Sequence, residues 1–378
     1  MNVHGAQPHI VFVAPCFGTF GGMEAFVFRL ARFLRERDIP VTICFKQISG
    51  DGFTLDDTLR SQCAASPAET VFVPRASRQL FEVLKSADLV HGQNTSIDVS
   101  ALSRIAGVPL VLTIHGWLRE RWTPRGVAAR LAAAMADRRW YNSDFVWRKW
   151  EGDGRLETSA KLPIISDLPT GIVPVESRRG FVFAARWIEN KGLDILLDAY
   201  KVAELDRSAW PLTLLGDGPL RERILRRIAD ERIEGVVVRG FVDDETRNDI
   251  IRSSRWMVTP PHTNEDLGLT PIEARHVGVP AIITRDGGLP EAGGRHALVC
   301  EPRDSTGLAS LLERAARMSI DEYRRISEDT RAELLEYLQP LSIYLDAYAA
   351  VLHERGRNEL AMRLSTTRKH SLDLHQRL

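Results

Sequence analysis

The run Asn264-Glu265-Asp266-Leu267-Gly268-Leu269-Thr270-Pro271-Ile272-Glu273-Ala274 joins two elements of opposite character. Before it, Arg255-Trp256-Met257-Val258-Thr259-Pro260 reads as a short apolar strand. After it, Pro271 to Val277 reads as a helix. Thr270, Pro271 and Glu273 fall at the cap, first and third helical positions. That spacing is a capping box, with proline where its missing N–H costs nothing. A strand thus runs into a loop that opens a helix, and the free N–H groups of such a helix attract anions, phosphates above all. Glu273 has two open readings, as a cap alone or as a ligand contact. Glu265 stands in the loop itself, where ligands bind at the top of open α/β sheets.

Moving outward, further glycine- and charge-bearing stretches surround this one. They are Phe183-Ala184-Ala185-Arg186-Trp187-Ile188-Glu189-Asn190-Lys191-Gly192, Gly216-Asp217-Gly218-Pro219, Arg239-Gly240-Phe241-Val242 and Gly287-Gly288-Leu289-Pro290-Glu291. With Glu265 and Glu273 they resemble, in order and rough spacing, the motifs of retaining GT-B glycosyltransferases, most closely glycosyltransferase family four (glycosyl transferases group one). The likeness runs from about Ile10 to Leu352 and is firmer in the second half.

The resemblance implies an α/β protein of two Rossmann-like, doubly wound domains facing across a cleft. Residues 1–168 would form the acceptor-side domain and 169–339 the nucleotide-sugar domain, with the last helix, about 340–378, crossing back onto the first. It implies that Arg186 and Lys191 neutralise the departing diphosphate, that Glu265 meets the transferred sugar and that Glu273 meets the ribose. Gly268, Leu269 and Thr270 would begin the phosphate-facing helix. Gly216, Asp217 and Gly218 would border the nucleotide, and Phe241 and Val242 its base. Gly21, Gly22 and His115 would reach the donor from the first domain. The donor would be a UDP- or GDP-sugar and the acceptor a glycan or lipid-linked molecule. Neither a metal nor a further cofactor is implied, and no Asp-x-Asp pair stands in a strand-end loop.

The residues carry part of this by themselves. His9 to Pro15 is a near-continuous apolar run suited to a parallel strand buried on both faces. A glycine-bearing loop, Cys16 to Gly22, leads to a helical pattern from Met23 to Asp38 and a strand from Val41 to Lys46. This βαβ unit lacks the three spaced glycines of a dinucleotide site, and Lys46 and Gln47 stand where its acidic residue would follow. The glycines serve either a tight turn or close backbone approach to a phosphate or sugar.

Val71 to Val73, Asp88 to His91 and Pro109 to Gly116 continue as strands, with a helix from Ser96 to Ala106. Such alternation predicts a parallel doubly wound sheet. His115 closes its strand at the ligand-bearing edge; His91 is a weaker candidate by the same logic. Arg138 to Asn142, Asp144 to Trp150 and Lys161 to Ile165 read as strand, helix and strand.

A linker is expected from Asp167 to Pro174. Beyond it the strand pattern restarts at Phe181, and Arg186 and Lys191 follow its end. Pro211 to Leu215 and Ala281 to Thr284 are further strands, Pro219 is expected to open a helix, and Ile343 to Val351 is expected to form one. The tail from Arg355 reads as a frayed helix or as disorder.

The 378 residues suit two domains of ordinary size. Basic and acidic residues number 50 each, so a global nucleic-acid footprint is not supported. Charge is uneven locally. Trp117 to Arg139 holds Arg119, Arg121, Arg125, Arg130, Arg138 and Arg139 against Glu120 and Asp137, with Trp117 and Trp122 among them. It is either a solvated helix face or a contact for an anionic acceptor or membrane surface. Four scattered cysteines, no signal peptide and no apolar run near the ~20 residues of a membrane span give the expectation of a cytoplasmic protein, peripheral at most.

Rival readings are a GT-B sugar-nucleotide epimerase, a catalytically silent sugar-nucleotide-binding module and a nicotinamide-dependent dehydrogenase. The missing dinucleotide fingerprint disfavours the last.

Overall fold

The computed structural model describes residues 7–48, 53–118, 122–162, 168–263 and 265–375. Asn264, Arg119, Glu120, Arg121 and the span 163–167 lie outside them. The chain divides into two compact units, Met1–Asp167 with Gln339–Leu378, and Leu168–Leu338.

The first unit alternates β1 (Ile10–Cys16), α1 (Gly22–Arg35), β2 (Val41–Gln47), α2 (Asp57–Ala65), β3 (Glu69–Val73), α3 (Arg78–Lys85), β4 (Leu89–Gln93), α4 (Ile97–Ala106), β5 (Leu110–Ile114), α5 (Pro124–Ala134), β6 (Arg138–Tyr141), α6 (Asp144–Glu151) and β7 (Ser159–Lys161). Its strands pair in the order β3-β2-β1-β4-β5-β6-β7. All these pairings are parallel. A parallel sheet needs helices on both faces, so its strands are apolar throughout. Ile10, Phe12 and Ala14 enter one core cluster, while Val11 and Val13 enter another on the opposite face.

The second unit runs β8 (Arg179–Ala184), α7 (Leu193–Val202), β9 (Leu212–Leu215), α8 (Arg221–Asp230), β10 (Val236–Gly240), α9 (Asp244–Ser253), β11 (Ser254–Thr259), α10 (Leu269–His276), β12 (Ala281–Thr284), α11 (Leu289–Gly293), β13 (Leu298–Cys300), α12 (Ser305–Arg317) and α13 (Ile320–Tyr337). The order is β10-β9-β8-β11-β12-β13, again parallel. The two-face rule repeats: Phe181 and Phe183 pack on one side, Val182 and Ala184 on the other. Strand order reverses beside β1 in one sheet and beside β8 in the other. Such reversals leave crevices at the carboxyl ends of the strands.

Two last helices, α14 (Ile343–Glu354) and α15 (Asn358–His375), belong to the first unit. Tyr344, Leu345, Tyr348 and Leu352 of α14 enter its core. The tail from Arg355 is therefore neither frayed nor disordered where it is described. Gly356 turns the chain at φ +73°, and Ala361 and Leu364, one helical turn apart, bury against the same core.

Other boundaries move for identifiable reasons. Helix α10 starts two residues before Pro271, with Gly268 at its cap and no side-chain cap bond. The capping box is thus not formed. Glu273 is too deep in the helix to reach back, and Pro271 sits within the first turn, where its missing N–H is harmless. Pro219 does not open a helix: α8 begins at Arg221, and the Leu220 N–H is spent on the Trp187 carbonyl. Among the described residues the last strand of the first unit is Ser159–Lys161, with Ser159 paired to Arg139; of the expected Lys161 to Ile165, residues 163–165 lie outside the described residues.

Candidate functional site

The crevice beside β8 is built from two loops. One follows β8 and carries Arg186 and Lys191; the other follows β11 and carries Glu265. They are stitched together by backbone. The His262 N–H donates to the Asn190 carbonyl at 3.1 Å, and the His262 ring meets the Glu189 carbonyl at 2.7 Å. Gly192, at φ +73°, lies so close that an added Cβ would stand 1.8 Å from the Pro260 oxygen. Only glycine meets both conditions there.

This framework brings Lys191 and Glu265 into contact. The Lys191 ammonium donates to both carboxylate oxygens, at 2.8 and 2.7 Å. Both side chains are mostly buried, at 20% and 15% exposure, so the pair is poorly screened. Arg186, on the same loop, is exposed, and no hydrogen bond or ion pair occupies its side chain among the described residues.

The Glu265 backbone is held from a third loop. Its N–H donates to Asp286 Oδ2 at 2.7 Å, and its carbonyl accepts from the Gly288 N–H at 2.7 Å. A Cβ on Gly287 would lie 1.9 Å from the Glu265 oxygen, and one on Gly288 would lie 2.3 Å from the Asp266 oxygen. The glycine pair therefore lets the loop after β12 press on the loop bearing Glu265. Gly268 (φ +93°) then turns the chain into α10, with Leu269 and Thr270 as its first residues.

Glu273 points inward from α10, 4% exposed, with Arg247 of α9 3.6 Å from its carboxylate. Gly216 and Gly218 serve close packing, because added Cβ atoms would stand 1.9 Å from the Ala185 oxygen and 2.6 Å from the Trp187 oxygen. Asp217 is exposed and pairs with Arg221 at 3.2 Å. Phe241 follows β10 with 74% of its surface exposed, and Val242 beside it is half-buried.

In the first unit, Gly21 caps α1 and Gly22 begins it. Their loop is fixed by Asp56, which accepts the Phe20 N–H at 2.8 Å. His115 follows β5, its Nε2 2.8 Å from Gln93 Oε1 and its N–H on Asn94 Oδ1 at 2.9 Å. Burial pushes the imidazole pKa down to about 3, so the ring is neutral at ordinary pH. It can exchange hydrogen bonds but brings no positive charge to a developing centre. His91 is a core residue: fully buried, it bonds Tyr348 Oη at 2.8 Å and Thr113 Oγ1 at 2.7 Å. At the end of β2, Lys46 pairs with Asp98 at 2.7 Å, where a dinucleotide enzyme would place its ribose-binding acid.

Asp286, Arg247, His262 and Gln93 carried no motif signal. Each acts on a partner distant in sequence, and only a recognised strand-end position for Gln93 could have pointed to it.

Two family models match. Residues 20–151 match Glycosyltransferase Family 4, and residues 178–317 match Glycosyl transferases group 1. The uncharacterized glycosyltransferase YqgM of Bacillus subtilis is 25% identical over 71% of this chain and 79% of its own length. O-antigen chain mannosyltransferase C of Escherichia coli is 26% identical over 47% of this chain and 48% of its own. Among solved structures, a Rickettsia africae glycosyltransferase superposes with TM-score 0.75 at 16% identity, covering 92% of this chain and 99% of that one. Anabaena HepE in complex with UDP and glucose gives 0.71 at 16% identity, covering 98% and 100%. With two parallel sheets of seven and six strands among the described residues, the chain belongs to the GT-B glycosyltransferases, a Glycosyltransferase Family 4 domain preceding a Glycosyl transferases group 1 domain.

Proposed function

We propose that the protein moves a sugar from a UDP- or GDP-sugar to a glycan or lipid-linked acceptor, with retention at the anomeric carbon and without a divalent metal, in polysaccharide or surface-glycan assembly. The observation that carries this is the Lys191–Glu265 pair at the β8 crevice, with Arg186 on the same loop. A departing diphosphate needs its charge neutralised, and an exposed arginine, a lysine and a helix N-terminus suit phosphate oxygens. Lys191 also allows Glu265 to stand near a phosphate without net repulsion. The name of the Escherichia coli relative and the UDP bound by HepE support the substrate class.

In this reading the bond from the anomeric carbon to the diphosphate oxygen breaks as the acceptor hydroxyl attacks the same face. The acceptor's proton passes to the leaving phosphate. Arg186, Lys191 and the start of α10 stabilise the departing oxygens. Glu265 orients the transferred sugar, Glu273 accepts from the ribose hydroxyls, and the neutral His115 offers a hydrogen bond to a sugar hydroxyl. A reducing, cytoplasmic setting is part of the proposal, supported by four free cysteines.

A thermal-shift screen with UDP-, GDP- and ADP-sugars tests it. At least one should raise the melting point, as a ligand above its dissociation constant does. The shift should vanish in Arg186→Ala. NMR of the product should show the donor's anomeric configuration. Conversion of the donor without acceptor would indicate an epimerase; binding without any transfer would indicate a silent module.

A further inference from the structure

The basic segment of the first unit is not absorbed by this chemistry. From Val99 to Ala136 the chain has Arg104, Arg119, Arg121, Arg125 and Arg130 against a single acid, Glu120. Within it, α5 buries only a small-residue face, Gly126, Ala132 and Ala133. Its opposite face carries Val127, Arg130, Leu131 and Ala134, all exposed. Val127 and Leu131 are four residues apart and therefore adjacent on the surface. They are 41% and 55% exposed, and Trp122, just before the helix, is 83% exposed. The Arg130 guanidinium lies 5.3 Å from the Trp122 ring centre. The neighbouring helix α4 packs against α5 and adds exposed Arg104 and Ile105, the latter at 72%.

Single exposed apolar residues are ordinary, but a tryptophan, a leucine and a valine on one short segment with arginines between them are not. Tryptophan and arginine together suit the headgroup level of a bilayer, where the ring stays amphipathic and the cation meets lipid phosphate. No helix among the described residues is long and apolar enough to cross a membrane, so the contact would be at the surface. We infer that α5, with Trp122, docks this protein onto a bilayer rich in anionic lipid. Charge decides the occupant: among the described residues from Val99 to Ala136, Arg104, Arg125 and Arg130 are exposed with no acid beside them, which favours an anionic surface over a second copy of the same basic face. The inference goes beyond the donor chemistry, and its test reads lipid binding rather than transfer.

The full chain is mixed with vesicles of phosphatidylcholine alone or with phosphatidylglycerol and floated on a density gradient. It should float with the anionic vesicles at low salt and be released at about 1 M salt, where screening is short-ranged. Arg125→Glu with Arg130→Glu should weaken partitioning at least about tenfold, as should Trp122→Ala with Leu131→Ala, with melting points unchanged. No flotation would overturn the inference. So would equal flotation on neutral vesicles, or a solution dimer that the Trp122→Ala and Leu131→Ala pair dissociates.

Discussion

The Lys191 ammonium sits between both carboxylate oxygens of Glu265, at 2.8 and 2.7 Å, and each group is fixed by a different strand-end loop. The pair is a preformed neutral unit on the same loop as Arg186, whose side chain has no partner among the described residues. In Lys191→Ala the Glu265 carboxylate would remain, mostly buried and without its cation. Both the diphosphate and the sugar would then face an uncompensated charge. Transfer should fall by about 10²-fold or more, the scale of losing one fixed electrostatic partner. Glu265→Gln keeps the shape and removes the charge. It should retain nucleoside-diphosphate binding while kcat falls, and calorimetry beside steady-state kinetics separates the two effects. Full kcat in Glu265→Gln would leave this carboxylate a structural role only.

Asp286 governs where Glu265 stands. It is 6% exposed and accepts the Glu265 N–H at 2.7 Å. Hydrogen bonds to a charged acceptor are worth about 1.5–3 kcal/mol. Asp286→Ala should lower stability by about that amount and reduce kcat, with little change in nucleoside-diphosphate affinity. Asp286→Asn retains an acceptor oxygen and should recover much of kcat. A structural role alone would lower the melting point without this rescue of kcat.

Much of the architecture was legible because parallel strands covered on both faces must be apolar at every position. Ile10 to Ala14 and Phe181 to Ala184 announce themselves in that way. The place of His115 followed from its strand end. The start of α10 was not legible. Thr270, Pro271 and Glu273 satisfy a local cap, yet Gly268 takes the cap position at φ +93°, in a backbone packed closely against Leu289. Distant packing overrode a local pattern. The same limit hid Asp286 and Arg247, whose partners Glu265 and Glu273 lie on other elements, distant in sequence. The tail was hidden by dilution: in a polar segment, Ala361 and Leu364 are buried, too few for a periodic signal.

The glycine after β12 gives a sharper test of loop contact against backbone strain. Gly287 (φ +55°) and Gly107 (φ +68°) both occupy the left-handed region. A Cβ at Gly287 would strike the Glu265 backbone, whereas one at Gly107 would meet nothing within 4 Å. Each alanine variant bears about 1–2 kcal/mol of conformational strain. Only Gly287→Ala must also displace Glu265. Gly107→Ala should lower the melting point by a few degrees and leave transfer intact, while Gly287→Ala should lose transfer by about 10²-fold. Equal transfer rates in the two variants would mean that the glycine contact does not set the position of Glu265.

Protonation should weaken the first unit before any carboxylate titrates. Burial lowers the pKa of His91 well below 6.5 and brings His115 to about 3. His91 is enclosed by Phe12, Trp140, Tyr344, Tyr348 and Thr113, with His115 its nearby titrating neighbour and no carboxylate among these contacts. Well above pH 6.5 both rings are neutral, folded or unfolded, and pH has no leverage through them. Below it the unfolded chain takes up protons that the folded unit refuses, so stability falls as pH falls. Each refused proton costs about 1.4 kcal/mol per pH unit, so two approach about 2.7 kcal/mol per unit near pH 5. Asp98, held down to about 2 despite its burial by Lys46 and Ser96, adds a loss of the same sign only below its usual 3.8. Native-state hydrogen exchange of the β4 and β5 amides between pH 7.5 and 5, corrected for intrinsic rates, reads this slope for the first unit alone. His91→Phe should halve it, although Thr113 and Tyr348 each lose a partner and the unit starts less stable. Protection that stays level from pH 6.5 to 5 would mean that these imidazoles accept protons in the folded state.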